Sequence, residues 1–198
     1  EEFLTWAEDL DIQAITGWLL SRENLERPTE ELDPYFDVLM ELFGRLPALC
    51  DRYDIQLRFA GSLDLLPERV VAAAKQAEES RPTGSRWLTI ALGYGGRQEI
   101  VDAARDLVSS LVEQGVPAEE LADRINAQAL ASKMYSPHLP DPDLLIRTSG
   151  ESRVSGFLLW QSAYAELYFC DCYWPDFGPA ELDAAVAAFA SRARRFGR

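Results

Sequence analysis

Apolar positions recur along this chain at two spacings, and the switches between them mark its elements. Phe3, Leu4, Trp6, Ala7 and Leu10 share one helical face, so residues 1–10 read as the end of an amphipathic helix. The apolar run at 12–20 reads as a buried strand that delivers a polar loop at 21–28. A long helix is expected from Thr29, taken as its cap, to about residue 53, with Pro34 in its first turns and Pro47 a candidate kink. Its stripe of Leu39, Met40, Leu42, Phe43, Leu46 and Leu49 fits core packing or the wall of a greasy pocket, and helical spacing serves both. A strand at 55–59, a turn at 62–67 and a helix to about 80 follow. The strand at 87–92 ends on Gly93, Tyr94, Gly95, Gly96 and Arg97. Helices are expected at 98–114, 118–124 and 128–131. A proline-rich approach then leads to a strand at 143–146, a polar loop at 148–153 and a short apolar helix at 156–163 capped by Ser155. A strand at 166–170 and a final helix from 179 to about 196 complete the chain.

Strands alternating with helices predict an α/β fold, a single central, mostly parallel β-sheet flanked by helices. The loops around Ser21, Gly93 and Arg147 then converge on one sheet edge, past the strands' C-terminal ends, where ligands of open α/β sheets bind. The 198 residues, 47% of them hydrophobic, suit one domain over 1–198. A net charge of −14 argues against a nucleic-acid surface, which needs a basic patch, but leaves room for a small anion held by local arginines. No apolar run is long enough to span a bilayer and no signal peptide is read at the start, so the expectation is a cytoplasmic protein with at most peripheral membrane contact. Three cysteines without a CxxC pair give neither a disulfide framework nor a zinc site. The one histidine, His138, excludes a multi-histidine metal site and reads as a loop residue. Arg192, Arg194, Arg195 and Arg198 complement the dipole of the last helix. Glu1 falls inside an element, and a segment before it is expected to have been removed or left out.

Chemistry concentrates in residues 141–177. Arg147 and Arg153, with Ser155 at an expected helix N-terminus, make an anion pocket, because backbone N–H groups and a planar guanidinium both suit phosphate. Glu166 and Glu151 are carboxylates that could hold a hard cation beside it. Asn24 and Arg27, in the loop after the first strand, could hydrogen-bond a polar substrate. Gly93, Gly95 and Gly96 fit neither GxGxxG nor a P-loop, and tight strand-to-helix packing explains them.

The stretch from Leu145 to Gln161, read with Trp174-Pro175-Asp176-Phe177, resembles the C-terminal signature of the cis-prenyltransferases, the undecaprenyl diphosphate synthase family. Residues 21–28 resemble that family's S-x-E-N-x-x-R-P loop, and residues 91–101 its Y-G-G-R-x-E-I block. The three motifs stand in order, with matching spacing, over nearly the whole chain.

The resemblance implies Mg²⁺-dependent condensation of isopentenyl diphosphate with an allylic diphosphate (dimethylallyl, geranyl or farnesyl) to a Z-prenyl diphosphate, by a homodimer. It implies that Arg147, Arg153 and Ser155, with Val154 between them, hold the isopentenyl diphosphate, that Glu166 ligates Mg²⁺ and that Glu151 orients the arginines or assists the metal. Ser21, Arg22, Glu23, Leu25 and Arg27 match substrate-contacting positions, and Asn24 the position of proton removal. An amide is a poor base, so Asn24 is expected to position substrate or relay a proton to a diphosphate oxygen. The family's N-terminal D-G-N-x-R-W-A phosphate loop is not among these residues. Leu25 stands where long-chain members carry tryptophan, Arg22 replaces a small hydroxyl residue, Ser152 stands where histidine or glutamine is common, and Gly17-Trp18 departs from T-x-Y. These departures favour a short-chain or specialised member. Two alternatives stay open: irregular or cyclising coupling of two dimethylallyl diphosphates on the same fold, and a non-catalytic prenyltransferase subunit.

Overall fold

A computed structural model describes residues 2–191. Its elements run α1 Glu2–Asp9, β1 Ala14–Ser21, α2 Thr29–Arg52, β2 Ile55–Ala60, α3 Glu68–Ser80, β3 Arg86–Tyr94, α4 Gly96–Glu113, α5 Leu121–Arg124, α6 Ala127–Ala131, β4 Leu144–Arg147, β5 Glu166–Phe169 and α7 Pro179–Ser191. The pairings are parallel: β3 lies between β1 and β2, and β4 pairs with β5. The mostly parallel α/β arrangement is as expected, with the ladder hydrogen bonds falling into a three-stranded and a two-stranded group.

Three differences from the expected elements have local causes. Thr29 does not cap α2; Pro28 does, its carbonyl accepting from the N–H groups of both Glu31 (3.0 Å) and Leu32 (3.2 Å). Helix α2 runs 24 residues through Pro34 and Pro47 without a break. No helix spans 156–163. The chain there is a series of turns, with positive φ at Ser155 (47°), Gly156 (91°) and Leu158 (46°), before one 3₁₀ turn at Gln161–Tyr164. Its carbonyls and rings are used by distant partners instead of an i+4 ladder. The arginines from 192 onward lie outside the described residues.

The apolar stripe of α2 is core. Leu39, Phe43 and Leu46 are buried with Val70 and Ala74 of α3 against Leu57, Leu88, Ile90 and Leu92 of the sheet, and Met40, Leu42 and Leu49 pack around them. Phe43 meets Phe59 edge-on at 5.0 Å.

Parallel pairing puts the C-termini of β1, β2 and β3 at one edge and gives this sheet two unlike poles. The N-terminal pole is tied by charge. Arg86 pairs with Glu8 (3.6 Å) and Asp11 (3.1 Å), and Arg81 with Asp51 (2.6 Å). The Ser85 hydroxyl first, and then its N–H, donates to Asp54 and holds that carboxyl below the usual range. The His138 ring lies 4.4 Å from Trp87, and burial lowers its pKa. Trp87 and Tyr94 are seven residues apart on β3, about 23 Å at strand rise, so His138 belongs to the pole opposite the C-terminal loops. Among the described residues no helix is long and apolar enough to cross a membrane.

Candidate active site

At the C-terminal pole, β1 ends on Ser21. Its Oγ accepts from the Asn24 N–H (3.1 Å), bending the chain into a 3₁₀ turn at Glu23–Glu26. The Arg22 N–H continues the sheet onto the Tyr94 carbonyl (2.9 Å), while its Nη1 donates to Ser62 Oγ just past β2 (2.9 Å). Leu25 is half-buried, with Cδ1 3.3 Å from where a side chain at Gly93 would begin. Glu23 lies beside Gly95. Arg27 is exposed and pairs loosely with Glu31 at 3.9 Å.

The glycines after β3 allow close approach. Gly96 donates its N–H to the Gly156 carbonyl (2.8 Å), and a Cβ at Gly96 would stand 2.5 Å from that oxygen. One contact therefore fastens the 155–159 turns to the β3–α4 junction. Trp18 stacks on Phe157 at 5.2 Å with planes 5° apart, and Tyr94 meets both rings edge-on. Beneath them Glu99, 1% exposed, accepts from the Tyr94 hydroxyl (2.5 Å), the Tyr135 N–H (3.0 Å) and Gln161 Nε2 (3.0 Å). Burial first, then the charge of Glu99, pushes the Tyr94 phenol far above its usual pKa, so it remains a donor.

Arg147 closes β4. Its carbonyl accepts from the Cys170 N–H (3.0 Å), and its Nε is buried without a hydrogen-bond partner among the described residues. The loop beyond is clipped down twice: Ser149 N–H donates to the Cys172 carbonyl (2.7 Å) and Gly150 N–H to that of Cys170 (3.0 Å). Cys170 and Cys172 are free thiols. Arg153 pairs tightly with Glu151 across one residue, which gives that carboxylate an orienting contact. Val154 accepts from the Phe157 N–H (2.9 Å), and Ser155 is exposed. Since no helix begins at Gly156, the helix-dipole contribution to an anion pocket falls away; guanidinium groups and the Ser155 hydroxyl remain.

Glu166 opens β5 opposite Leu144, whereas Arg147 pairs with Phe169, three residues or about 10 Å further along. The structure thus does not set Glu166 directly beside the Arg147 backbone. Among the described residues no three His, Cys, Asp or Glu cluster to hold a metal ion. A magnesium site does not require one: Mg²⁺ keeps waters and is held through one or two carboxylates plus substrate phosphates, so a single hard oxygen donor such as Glu166 fits that chemistry.

The family model described as "Putative undecaprenyl diphosphate synthase" matches residues 1–197. The chain belongs to that family, the cis-prenyltransferases. Isoprenyl transferase 1 of Corynebacterium diphtheriae is 41% identical over 198 residues, all of this chain and 74% of that protein. The (2Z,6E)-farnesyl diphosphate synthase of Mycobacterium tuberculosis is 39% identical over 198 residues, covering all of this chain and 75% of that protein. The crystal structure of lavandulyl diphosphate synthase from Lavandula x intermedia, in complex with dimethylallyl diphosphate, matches with a TM-score of 0.91 at 33% identity, over all of this chain and 84% of that one. This cis-prenyltransferase has polar groups that its motifs did not single out as site residues: the buried Ser62 and the hub Glu99, and the half-buried Tyr135 and Gln161. Ser62 was findable, since it follows a strand at the same edge. Glu99 and Gln161 stand inside two of the motif blocks, but Tyr135 and Gln161 reach the hub from 36 and 62 residues away, so no local pattern tells that these groups meet.

Proposed function

We propose that this prenyltransferase condenses isopentenyl diphosphate with an allylic diphosphate (dimethylallyl, geranyl or farnesyl), using Mg²⁺, to make a Z-prenyl diphosphate as a homodimer. The observation that carries the substrate assignment is Arg147: a guanidinium at the C-terminal pole whose buried Nε has no hydrogen-bond partner among the described residues. A buried unpaired donor is costly, and an anionic ligand relieves it. Arg147, Arg153 and Ser155 grip the diphosphate of isopentenyl diphosphate, and the Glu151 ion pair sets the Arg153 fork.

The allylic C–O bond breaks and its electron pair leaves with diphosphate. The isopentenyl double bond attacks the allylic carbon, and a proton is lost to form the new Z double bond. Ser21 holds the Asn24 backbone, which supports a role for the Asn24 amide in orienting substrate or passing that proton to a diphosphate oxygen. Arg22, Glu23, Leu25 and Arg27 complete the allylic side. Glu166, with substrate oxygens, would hold Mg²⁺, which would supply neutralisation of the charge on the leaving diphosphate.

Irregular coupling is the second reading. It is favoured by the match to lavandulyl diphosphate synthase solved with dimethylallyl diphosphate. An omission assay separates the two. Protein with Mg²⁺ receives each allylic diphosphate, with and without isopentenyl diphosphate, and products are identified by mass and double-bond geometry. Z-products that require isopentenyl diphosphate are expected. Product from dimethylallyl diphosphate alone transfers the assignment to irregular coupling, and no product from any combination refutes both.

A further inference from the structure

Arg22 is a departure from the family pattern, and its surroundings show how the charge is held. Its stem crosses Gly95, with Cβ 3.5 Å and Cδ 4.0 Å from where a side chain there would begin. Its Nη1 donates to Ser62 Oγ at 2.9 Å. Ser62 is 6% exposed, and its own N–H donates to the Gly93 carbonyl (3.3 Å), so the acceptor is fixed to the β3 edge. The Ser62 hydroxyl also acts on the Tyr135 phenol, which donates to Asp102 Oδ2 at 2.7 Å. Asp102 Oδ1 in turn accepts from Gln98 Nε2 (2.7 Å). The sequence of groups runs from cation to anion: guanidinium, hydroxyl, phenol, carboxylate. A guanidinium carries five N–H donors, and Ser62 takes only one of them.

We propose that Ser62, backed by Tyr135 and Asp102, is a positioning residue that aims the Arg22 guanidinium at a substrate diphosphate bound over the C-terminal ends of β1 and β3. The inference rests on Arg22 contacting substrate. A free arginine samples many rotamers, and fixing it before binding removes that ordering cost from the affinity.

The test measures KM and kcat for the allylic diphosphate, and the Kd of inorganic pyrophosphate by calorimetry. The variants are Arg22→Ser, Ser62→Ala, Tyr135→Phe and the Arg22→Ser/Ser62→Ala double. Arg22→Ser is expected to raise KM and Kd about 10-fold or more. Ser62→Ala is expected to raise them about 3- to 10-fold, with kcat little changed. Tyr135→Phe keeps a ring packed on Tyr94, guards against a misfolded Ser62 variant, and is expected to move the same constants by a smaller factor. In the Arg22→Ser background, Ser62→Ala should add nothing. An effect of Ser62→Ala that persists without Arg22, or no effect beside a weakened Arg22→Ser, overturns the proposal. If Arg22→Ser itself leaves both constants unchanged, the substrate contact fails and the positioning role with it. If no allylic diphosphate turns over while the pyrophosphate pattern appears, the positioning role stands and the catalytic reading is what fails.

Discussion

Replacing Gly96 by alanine puts a methyl group where the structure has backbone. The new Cβ would lie 2.5 Å from the Gly156 oxygen, 3.0 Å from Leu159 Cγ and 3.1 Å from Leu159 N. An ordinary C···O contact is about 3.3–3.6 Å, so the two segments must part by about 1 Å. That movement stretches the 2.8 Å hydrogen bond from Gly96 to Gly156. Forced overpacking costs about 1–3 kcal/mol and the weakened hydrogen bond about 1 kcal/mol. The helix preference of alanine at the start of α4 returns up to about 1 kcal/mol. The net destabilisation is about 1–4 kcal/mol, a drop in Tm of about 2–16 °C for a chain of this size. The same displacement acts on Ser155, one residue before Gly156. Misplacing a substrate-binding group by about 1 Å costs up to about 100-fold, so kcat/KM should fall about 10- to 100-fold. Calorimetric melting and steady-state kinetics on the same preparation give both readings. A Gly96→Ala protein with unchanged Tm and kcat/KM would refute the view that this contact fixes the turn.

Arg147→Ala should raise KM for isopentenyl diphosphate about 10- to 100-fold, the worth of a charge-assisted hydrogen bond, with some loss of kcat. An effect confined to the allylic substrate would move the assignment of that arginine. Glu166→Ala should lose most Mg²⁺-dependent turnover, read by titrating Mg²⁺; equal activity at every concentration would remove Glu166 as the ligand. His138 makes a pH prediction. Its folded pKa lies below the unfolded value of about 6.5, first because of burial and then because of Arg58, so the unfolded chain binds the proton more readily. Its contribution to stability is complete above about pH 6.5 and is lost as pH falls through the folded pKa. The Tm difference between wild type and His138→Asn should therefore shrink from pH 7.5 to pH 5, and a difference constant across that range would contradict the sign.

The elements were legible wherever local pattern decides them. The buried strand at β3 and the stripe of α2 follow from apolar spacing, and parallel order follows from alternation of strand and helix. The expected helix at 156–163 failed because its apolar residues serve partners far off in sequence: Phe157 stacks on Trp18, and the Gly156 carbonyl is taken by Gly96. Composition there is helical, but the hydrogen bonds are not. The N-cap of α2 went to Pro28 because a carbonyl, which every residue has, did the work expected of the Thr29 hydroxyl. At the site, the loop arginines and Ser21 could be named from motifs. The support beneath them could not be read as such: Glu99 and Gln161 stand inside two of the motifs, but that they meet each other and Tyr135 is set only by folding, and a buried glutamate in a helical stretch looks like a solvated one. The register that sets Glu166 three residues short of Arg147 was likewise invisible without the paired strands.

The two unlike poles of the sheet divide the tolerance of this chain to change. The arginine–carboxylate ties at Arg81 and Arg86 and the His138–Trp87 contact sit about a strand's length from the loops at the C-terminal ends of the strands. Sites that far apart and without shared partners add their effects independently. The charged pole is therefore the place to graft affinity tags, retune surface charge or raise heat resistance, because errors made there do not travel to the loops. The glycine-lined pole has no such slack, and drift in sequence there should be read as a change of substrate before it is read as noise.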